Sequence, residues 1–336
     1  MIQFLLRRLM AAGLVLLVVA TLIFLFVRLV PGDPAVALLG SGATNAQIQA
    51  LRQQLGLDRT LPEQFATYLG GLLRGDLGAS LRTNRPVAQE LLQRLPATIE
   101  LTVAALVSAI VVGIPIGLWS AYAANRLADH VIRIVSLVAV SAPVFWLALF
   151  AQVIFSVQLN LLPVSARLDP LLKAPAGTGF LLIDALAAGD MQVFGSALSH
   201  LVLPAGVLAA YLAAVIARMV RASTISEIRQ DYARTARAKG LSRLGMVLKH
   251  ALPNALLPAI TLIGLKVAEL LGGAILTETV FSWPGIGRYM FEAITNRDYP
   301  VIQGATLLFA SGFILSSMAV DALYGALNPR IRAGRG

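Results

Sequence analysis

Six apolar runs along this chain approach or exceed the roughly 20 residues that an α-helix needs to cross a hydrocarbon core. They are Leu9 to Val27, Leu101 to Asn125, about Ile134 to Leu161, about Leu198 to Ala217, Ala255 to about Val280, and about Val301 to Tyr324. In lipid every backbone amide must be satisfied within its own segment, so each run is expected to be helical. Composition agrees, with 57% hydrophobic residues, 13% charged residues and a mean hydropathy of +0.78. Those values lie outside the range of a soluble globular domain. The expected fold is an all-α polytopic membrane protein with six transmembrane helices.

Positive charge in short loops sets the orientation. Arg7 and Arg8 precede the first run, Arg126 and Arg133 separate the second from the third, and Arg330, Arg332 and Arg335 close the chain. The connection between the fourth and fifth runs carries Arg218, Arg221, Arg229, Arg234, Arg237, Lys239, Arg243 and Lys249. The loop from Arg167 to His200 has only Arg167 and Lys173. Both termini and the 218–253 connection are therefore expected in the cytoplasm. The first run is long for a signal-peptide core and no small-x-small cleavage site precedes Val30-Pro31-Gly32-Asp33, so it reads as an uncleaved anchor.

The expected segments are an anchor helix at 1–30, an external helical cap loop at 31–96, and a five-helix core at 97–336 that contains the 218–253 connection. In the cap, helical pieces at Asn45–Leu55, Leu61–Leu73 and Val87–Leu95 alternate with stops at Gly56, Pro62, Gly75 and Pro86.

The net charge of +10 sits in short loops rather than over a polar domain, which argues against nucleic acid. The chain has no cysteine, and His130, His200 and His250 are out of helical reach of one another, so no metal site is expected. No Gly-Lys dipeptide occurs, which excludes a Walker phosphate loop, and no GxSxG, HExxH or paired-carboxylate pattern replaces it. The chain is expected to be neither an enzyme nor a binder of any cofactor.

Against that background the basic island Asp231 to Thr261, DYARTARAKGLSRLGMVLKHALPNALLPAIT, stands out between two apolar runs. Arg221 to Lys239 contains strong helix formers and neither Pro nor Gly, so it is expected to prolong the fourth span as one helix. Gly240 allows a positive-φ turn, Ser242 can cap a second short helix, and Pro253 is expected to stop that helix before the fifth span. Ala233, Ala236 and Ala238 would let a partner approach closely. An ordinary orienting loop accounts for the charge, but it needs neither the turn nor the stop.

The spacing of Ala236, Gly240 and Leu252-Pro253 resembles the EAA loop of importer permeases of the ABC (ATP-binding cassette) class. Arg234-Thr235 stands where that loop usually has Glu-Ala, and DYARTARAKGLS is similar to the spelling of the dipeptide, oligopeptide and nickel branch. Further matches follow in order: FLLRRL, VPGDP, LGLD at Leu55 to Asp58, GDLGAS at Gly75 to Ser80, and LPATIELT at Leu95 to Thr102. Then come TGFLLIDAL at Thr178 to Leu186, TETVFSWPGIGRY at Thr277 to Tyr289, NRDYPVIQG at Asn296 to Gly304, and the closing NPRIR. The chain thus resembles the first, B-type permease of a dipeptide-type importer.

That resemblance implies a type I ABC importer permease fold in the bacterial inner membrane. It implies a heterodimer with a second homologous permease, two cytoplasmic ATP-binding subunits that carry ATP and Mg, and an external substrate-binding protein. The implied activity is import of dipeptides or related small peptides and chelates by alternating access. Arg234, Thr235, Ala236, Lys239, Gly240, Leu241, Leu252 and Pro253 would form the ATPase-coupling loop. Trp283, Pro284 and Gly285 would belong to an external gate facing the binding protein, as a re-entrant piece or as a Trp anchored at the membrane interface.

Lys266 and Glu269 stand three apart in the middle of the fifth run, on one helical face. A charge at mid-bilayer costs at least about 2.5 kcal/mol, so the two are expected to pair or to face a wet cavity. They form either a pair at a permease–permease interface or a substrate pathway that meets a zwitterion. Glu278 and Asp321 lie nearer the interfaces and read as structural. The competing reading is a proton-coupled peptide carrier using Glu269 or Asp321, but six spans do not make two related bundles.

Overall fold

The computed structural model describes residues 2–29, 34–39, 42–54, 56–273 and 275–327, and its regular elements there are all helical. The VPGDP and NPRIR motifs lie largely or wholly outside those residues, as do Leu55 and the side chain of Asp321. The chain forms α1 (Ile2–Leu29), α2 (Pro34–Leu39), α3 (Asn45–Gln54), α4 (Leu61–Leu73), α5 (Val87–Tyr122), α6 (Leu127–Ser141), α7 (Val144–Ala151), α8 (Leu181–Ala187) and α9 (Met191–Ile228). It continues through α10 (Asp231–Ala238), α11 (Arg243–Met246), α12 (Leu252–Gly273), α13 (Ile275–Val280), α14 (Ile286–Asn296) and α15 (Tyr299–Leu327). Five segments, in α1, α5, α9, α11–α12 and α15, are long and apolar enough to cross a membrane, and α6 with α7 makes a bent sixth candidate.

α5 and α9 are the spine. Ala97, Leu101, Ala105, Ala109, Gly113 and Gly117 recur every fourth residue on α5, as do Leu201, Ala205, Ala209, Ala213 and Ala217 on α9, and all are buried. A Cβ added at Gly113 would lie 2.9 Å from the Ala213 carbonyl oxygen, and one at Gly117 would lie 2.6 Å from that of Ala217. The backbones therefore touch, as small-xxx-small pairs allow in membranes, where dispersion rather than water exclusion holds helices together. The constant offset also means that the two helices run parallel.

Parallel helices with level ends need a return crossing between them. At one end Asp129 of α6, fully buried, takes both Arg221 bonds at 2.7 Å, the Ser120 hydroxyl at 2.5 Å and the Asn125 N–H at 3.0 Å. At the other end Glu100 of α5 accepts from Arg167 Nε and from the Leu182 N–H, each at 3.0 Å. From Glu100 to Ser120 α5 rises about 30 Å, the thickness of a hydrocarbon core. The two carboxylate clusters thus lie one membrane thickness apart, and the α6–α7 segment carries the chain back between their levels.

That return is not the straight helix expected from Ile134 to Leu161. It begins at Leu127 and bends by 103°. The cause is Pro143, which lacks an N–H and pushes Ala142 into extended backbone (ψ 135°). Beyond α7 the helix widens into a π-helical stretch, Gln152–Gln158.

The expected cap helix Val87–Leu95 is also corrected: it forms the first turns of α5, which passes through Pro96. One missing helical hydrogen bond does not break a helix held so closely to its neighbours. The cap is tied down at two places. α4 sits on α1 through Phe24, whose ring lies 5.0 Å from Phe65 and 5.5 Å from Tyr68, and Arg28 Nε donates to Gln64 at 2.9 Å. The GDLGAS loop meets the NRDYP turn where the Ser80 hydroxyl donates to Asp298 at 2.6 Å and the Leu81 N–H donates at 3.1 Å.

Candidate functional site

The basic island forms a compact module at the Arg221–Asp129 end of the spine. The fourth span does not continue to Lys239 as one helix: α9 ends at Ile228, and a turn at Arg229-Gln230 starts α10. The turn lets Ala233 and Ala236 swing inward to pack with Met246, Val247 and Ala251, against Leu118 of α5 and Ile228 of α9. Those two alanines face the chain's own interior, and only Ala238 of the three is exposed. The small-residue face therefore closes the module instead of receiving a partner.

Gly240 has φ +88°, the left-handed turn its position called for, and the Ser242 hydroxyl accepts from the Gly245 N–H at 3.1 Å as an N-cap. Pro253 does not stop the second helix. A π-helical turn at Val247–Ala251 joins α11 to α12, and its wider spacing leaves room for the Pro253 ring in the first turn of α12. Arg234, Thr235 and Lys239 are exposed, Leu241 and Leu252 half-buried, and Pro253 exposed. Leu244 and Leu248 are exposed apolar residues on the same module (54% and 47%), and hydropathy alone did not separate them from the span that follows. A surface of arginines around exposed leucines fits a protein partner better than bulk water.

At the opposite end, Phe281 to Gly285 forms an elbow between α13 and α14. Trp283 is fully buried and donates its indole N–H to the Ala97 carbonyl at 2.8 Å, so it is no interfacial anchor. Pro284 is exposed and Gly285 buried, which leaves Pro284 as the accessible member of that trio. The first amides of α14 have no side-chain cap of their own. Instead the Thr98 hydroxyl accepts from the Ile286 N–H at 2.9 Å and donates to Glu278 at 2.8 Å, while Glu278 accepts from the Arg288 N–H at 3.0 Å. A fully buried carboxylate placed at a helix N-terminus is well matched to the dipole. Gly287 allows this packing, because a Cβ there would come 2.7 Å from the Ile275 Cα.

Lys266 and Glu269 pair directly on α12, and Lys266 lies 5.5 Å from the Tyr211 ring of α9. Tyr211 is ten residues before Arg221, about 15 Å along the axis, which puts the pair halfway between the two carboxylate clusters. The Glu269 side chain remains 54% exposed on this chain, so at that depth it meets another subunit or water. The residues of the basic module, the Lys266–Glu269 pair and the elbow thus occupy three separate levels and do not form one site.

Residues 113–333 match the family described as "Binding-protein-dependent transport system inner membrane component", and residues 1–102 match its N-terminal companion. The chain is 46% identical over 327 residues to the probable D,D-dipeptide transport system permease protein DdpB of Escherichia coli, covering 96% of each. It is 46% identical over 336 residues to the di/tripeptide transport system permease protein DppB of Pseudomonas aeruginosa, covering the whole of both. It is 40% identical over 332 residues, 99% of each chain, to the glutathione transport system permease protein GsiC of Salmonella choleraesuis.

Proposed function

Because the chain belongs to the family of inner membrane components of binding-protein-dependent transport systems, we propose that it is one permease subunit of an ATP-driven importer of dipeptides or related small peptides. The relatives are named for D,D-dipeptides, di- and tripeptides, dipeptides and glutathione, all short peptides. The fold is read as that of a type I importer permease with both termini cytoplasmic. Charge distribution supports this orientation: it puts the α10–α11 module in the cytoplasm and the cap and elbow outside.

One observation carries the mechanism. A rigid basic module with exposed leucines is fixed to both spine helices, in a chain that contains no phosphate loop of its own. Two cytoplasmic ATPases, holding ATP and Mg, would dock on Arg234, Thr235, Lys239 and the turn at Gly240. Their closure would shift the equilibrium between inward- and outward-open bundles, and a loaded external binding protein would bias it from the other side. A second, homologous permease would complete the pathway. Lys266 and Glu269 would face that pathway at mid-membrane, where an ammonium and a carboxylate of a passing peptide would exchange with them.

The test is uptake by the full assembly in proteoliposomes. ATP-dependent uptake that survives a protonophore is expected; uptake by this chain alone, driven by a proton gradient, would replace the reading with a secondary carrier. Gly240→Leu has open space for its side chain but not for its backbone angle. It should insert and assemble normally yet lose substrate-stimulated ATP hydrolysis, and undiminished stimulation would count against the coupling role.

A further inference from the structure

A groove of about 400 Å³ opens between α6 and α9, lined by His130, Arg133, Ile134, Leu137, Arg218 and Arg221. Of its cations Arg221 is already committed to Asp129. Arg133 and Arg218 are exposed, and among the described residues neither has a carboxylate within salt-bridge distance. Arg133 and Arg218 each stand one turn from the Asp129–Arg221 pair, so both sit at the edge of the hydrocarbon layer. Ile134 and Leu137 lie on the same face of α6, and Leu137 is about 6 Å deeper than Arg133. The apolar wall continues into Val131, Val135 and Val138, all exposed. α6 is peripheral in this chain, and only Asp129 and Ser136 on it are buried.

Cationic at its rim and apolar below, the groove matches a molecule with an anionic head and a hydrocarbon tail. We infer that it binds one anionic glycerophospholipid of the inner leaflet, its phosphate held between Arg133 and Arg218 and an acyl chain lying along Ile134 and Leu137. The placement in the inner leaflet rests on the orientation proposed above, but the match between groove and lipid does not. A soluble acidic partner would use the arginines and leave the apolar wall without a role. A bound lipid would fill the notch between α6 and the spine beside the Asp129–Arg221 pair, and so brace the peripheral helix against α9.

The test is native mass spectrometry of the purified complete transporter, titrated with phosphatidylglycerol or with zwitterionic phosphatidylcholine. The wild type should retain phosphatidylglycerol selectively. At about 1 kcal/mol for each arginine, Arg133→Gln with Arg218→Gln should weaken that retention about 30-fold and leave phosphatidylcholine unchanged. Arg133→Lys with Arg218→Lys should keep most of it. Equal retention of the two lipids by the wild type overturns the inference without any variant, as does displacement of phosphatidylglycerol by millimolar inorganic phosphate. Loss of a protein subunit from the Gln variant, with lipid retention unchanged, would make the groove a subunit interface instead.

Discussion

Gly117→Leu is the sharpest test of the spine. A Cβ at Gly117 would meet the Ala217 carbonyl oxygen at 2.6 Å, the Val220 Cβ at 2.9 Å and the Ala217 Cα at 3.0 Å. The first of these is about 0.8 Å short of an ordinary contact, and backbone cannot rotate out of the way as a side chain can. Alanine alone should cost about 1–3 kcal/mol by overpacking, partly offset by about 1 kcal/mol of helix propensity. Leucine should exceed the upper figure and force α9 away from α5 one turn above Arg221. Gly206→Ala is the control: it lies on the same α9, with nothing within 4 Å of an added Cβ. It should be neutral or slightly stabilising. Thermal unfolding of the assembled transporter in detergent, with membrane abundance as a check on insertion, measures both. Equal midpoints for Gly117→Leu and Gly206→Ala would refute the backbone contact and the parallel register inferred from it.

The other expected outcomes follow from single side chains. Glu278→Ala leaves the Thr98 hydroxyl and the Arg288 N–H without their acceptor. At about 1–3 kcal/mol for each buried group, it should loosen the elbow, seen as new proteolysis between α13 and α14. Lys266→Gln with Glu269→Thr should change the ranking of peptides by net charge in competition uptake assays; an unchanged ranking would return the pair to a subunit interface. Asp184 is held below the usual carboxylate range, foremost by the Thr178 N–H, with the Thr178 hydroxyl and the Gly179 N–H adding to it. A depressed folded value stabilises above the unfolded value, and that stability is lost as pH falls through the folded one. Asp184→Asn should therefore flatten the acid limb of a stability–pH profile, and a limb of unchanged slope would sink that role.

Hydropathy located five spans because lipid admits few alternatives to helix; among the described residues the third run is a bent pair, and the fifth span lies at Arg243–Val267 rather than Ala255 to about Val280. Pattern reasoning was weakest where helix breakers met tight packing. Pro253 reads as a stop and Val87–Leu95 as a separate cap helix, yet Pro253 follows a π-helical turn and Val87–Leu95 runs on through Pro96 in a helix clamped against α9. Pro143 did break its helix, leaving Ala142 in extended backbone. Gly240 and Ser242 were legible because their roles are local, a positive φ and an N-cap. The Thr98–Glu278 link spans 180 positions, and no local rule joins such residues. The four-residue rhythm of Ala and Gly on α5 and α9 was present in the sequence, and small-xxx-small spacing is the signal that could have revealed it.

That rhythm changes where force from the coupling module would go. In sequence the Gly240 turn leads directly into the fifth span. In the structure α10 and the π-helical turn share one apolar cluster that includes Leu118 and Ile228, and the Arg243 guanidinium lies 4.9 Å from the Tyr122 ring at the end of α5. The module is therefore attached to α5, α9 and α12 together. α5 and α9 share one apolar core, and their backbones touch at Gly113–Ala213 and Gly117–Ala217, so they are suited to move as one body. The softer joints are elsewhere: the bend at Pro143, the π-helical stretch after α7, and the π-helical turn before Pro253. On the proposed function, a push on the module tilts the spine as a unit, and α6–α7 and α12 take up the difference. Spin labels on α5 and α9 should then keep a constant separation through the ATP cycle, while their distances to α7 change. A cycle in which α5 and α9 separate would assign the motion to the spine itself and remove the rigid-body account.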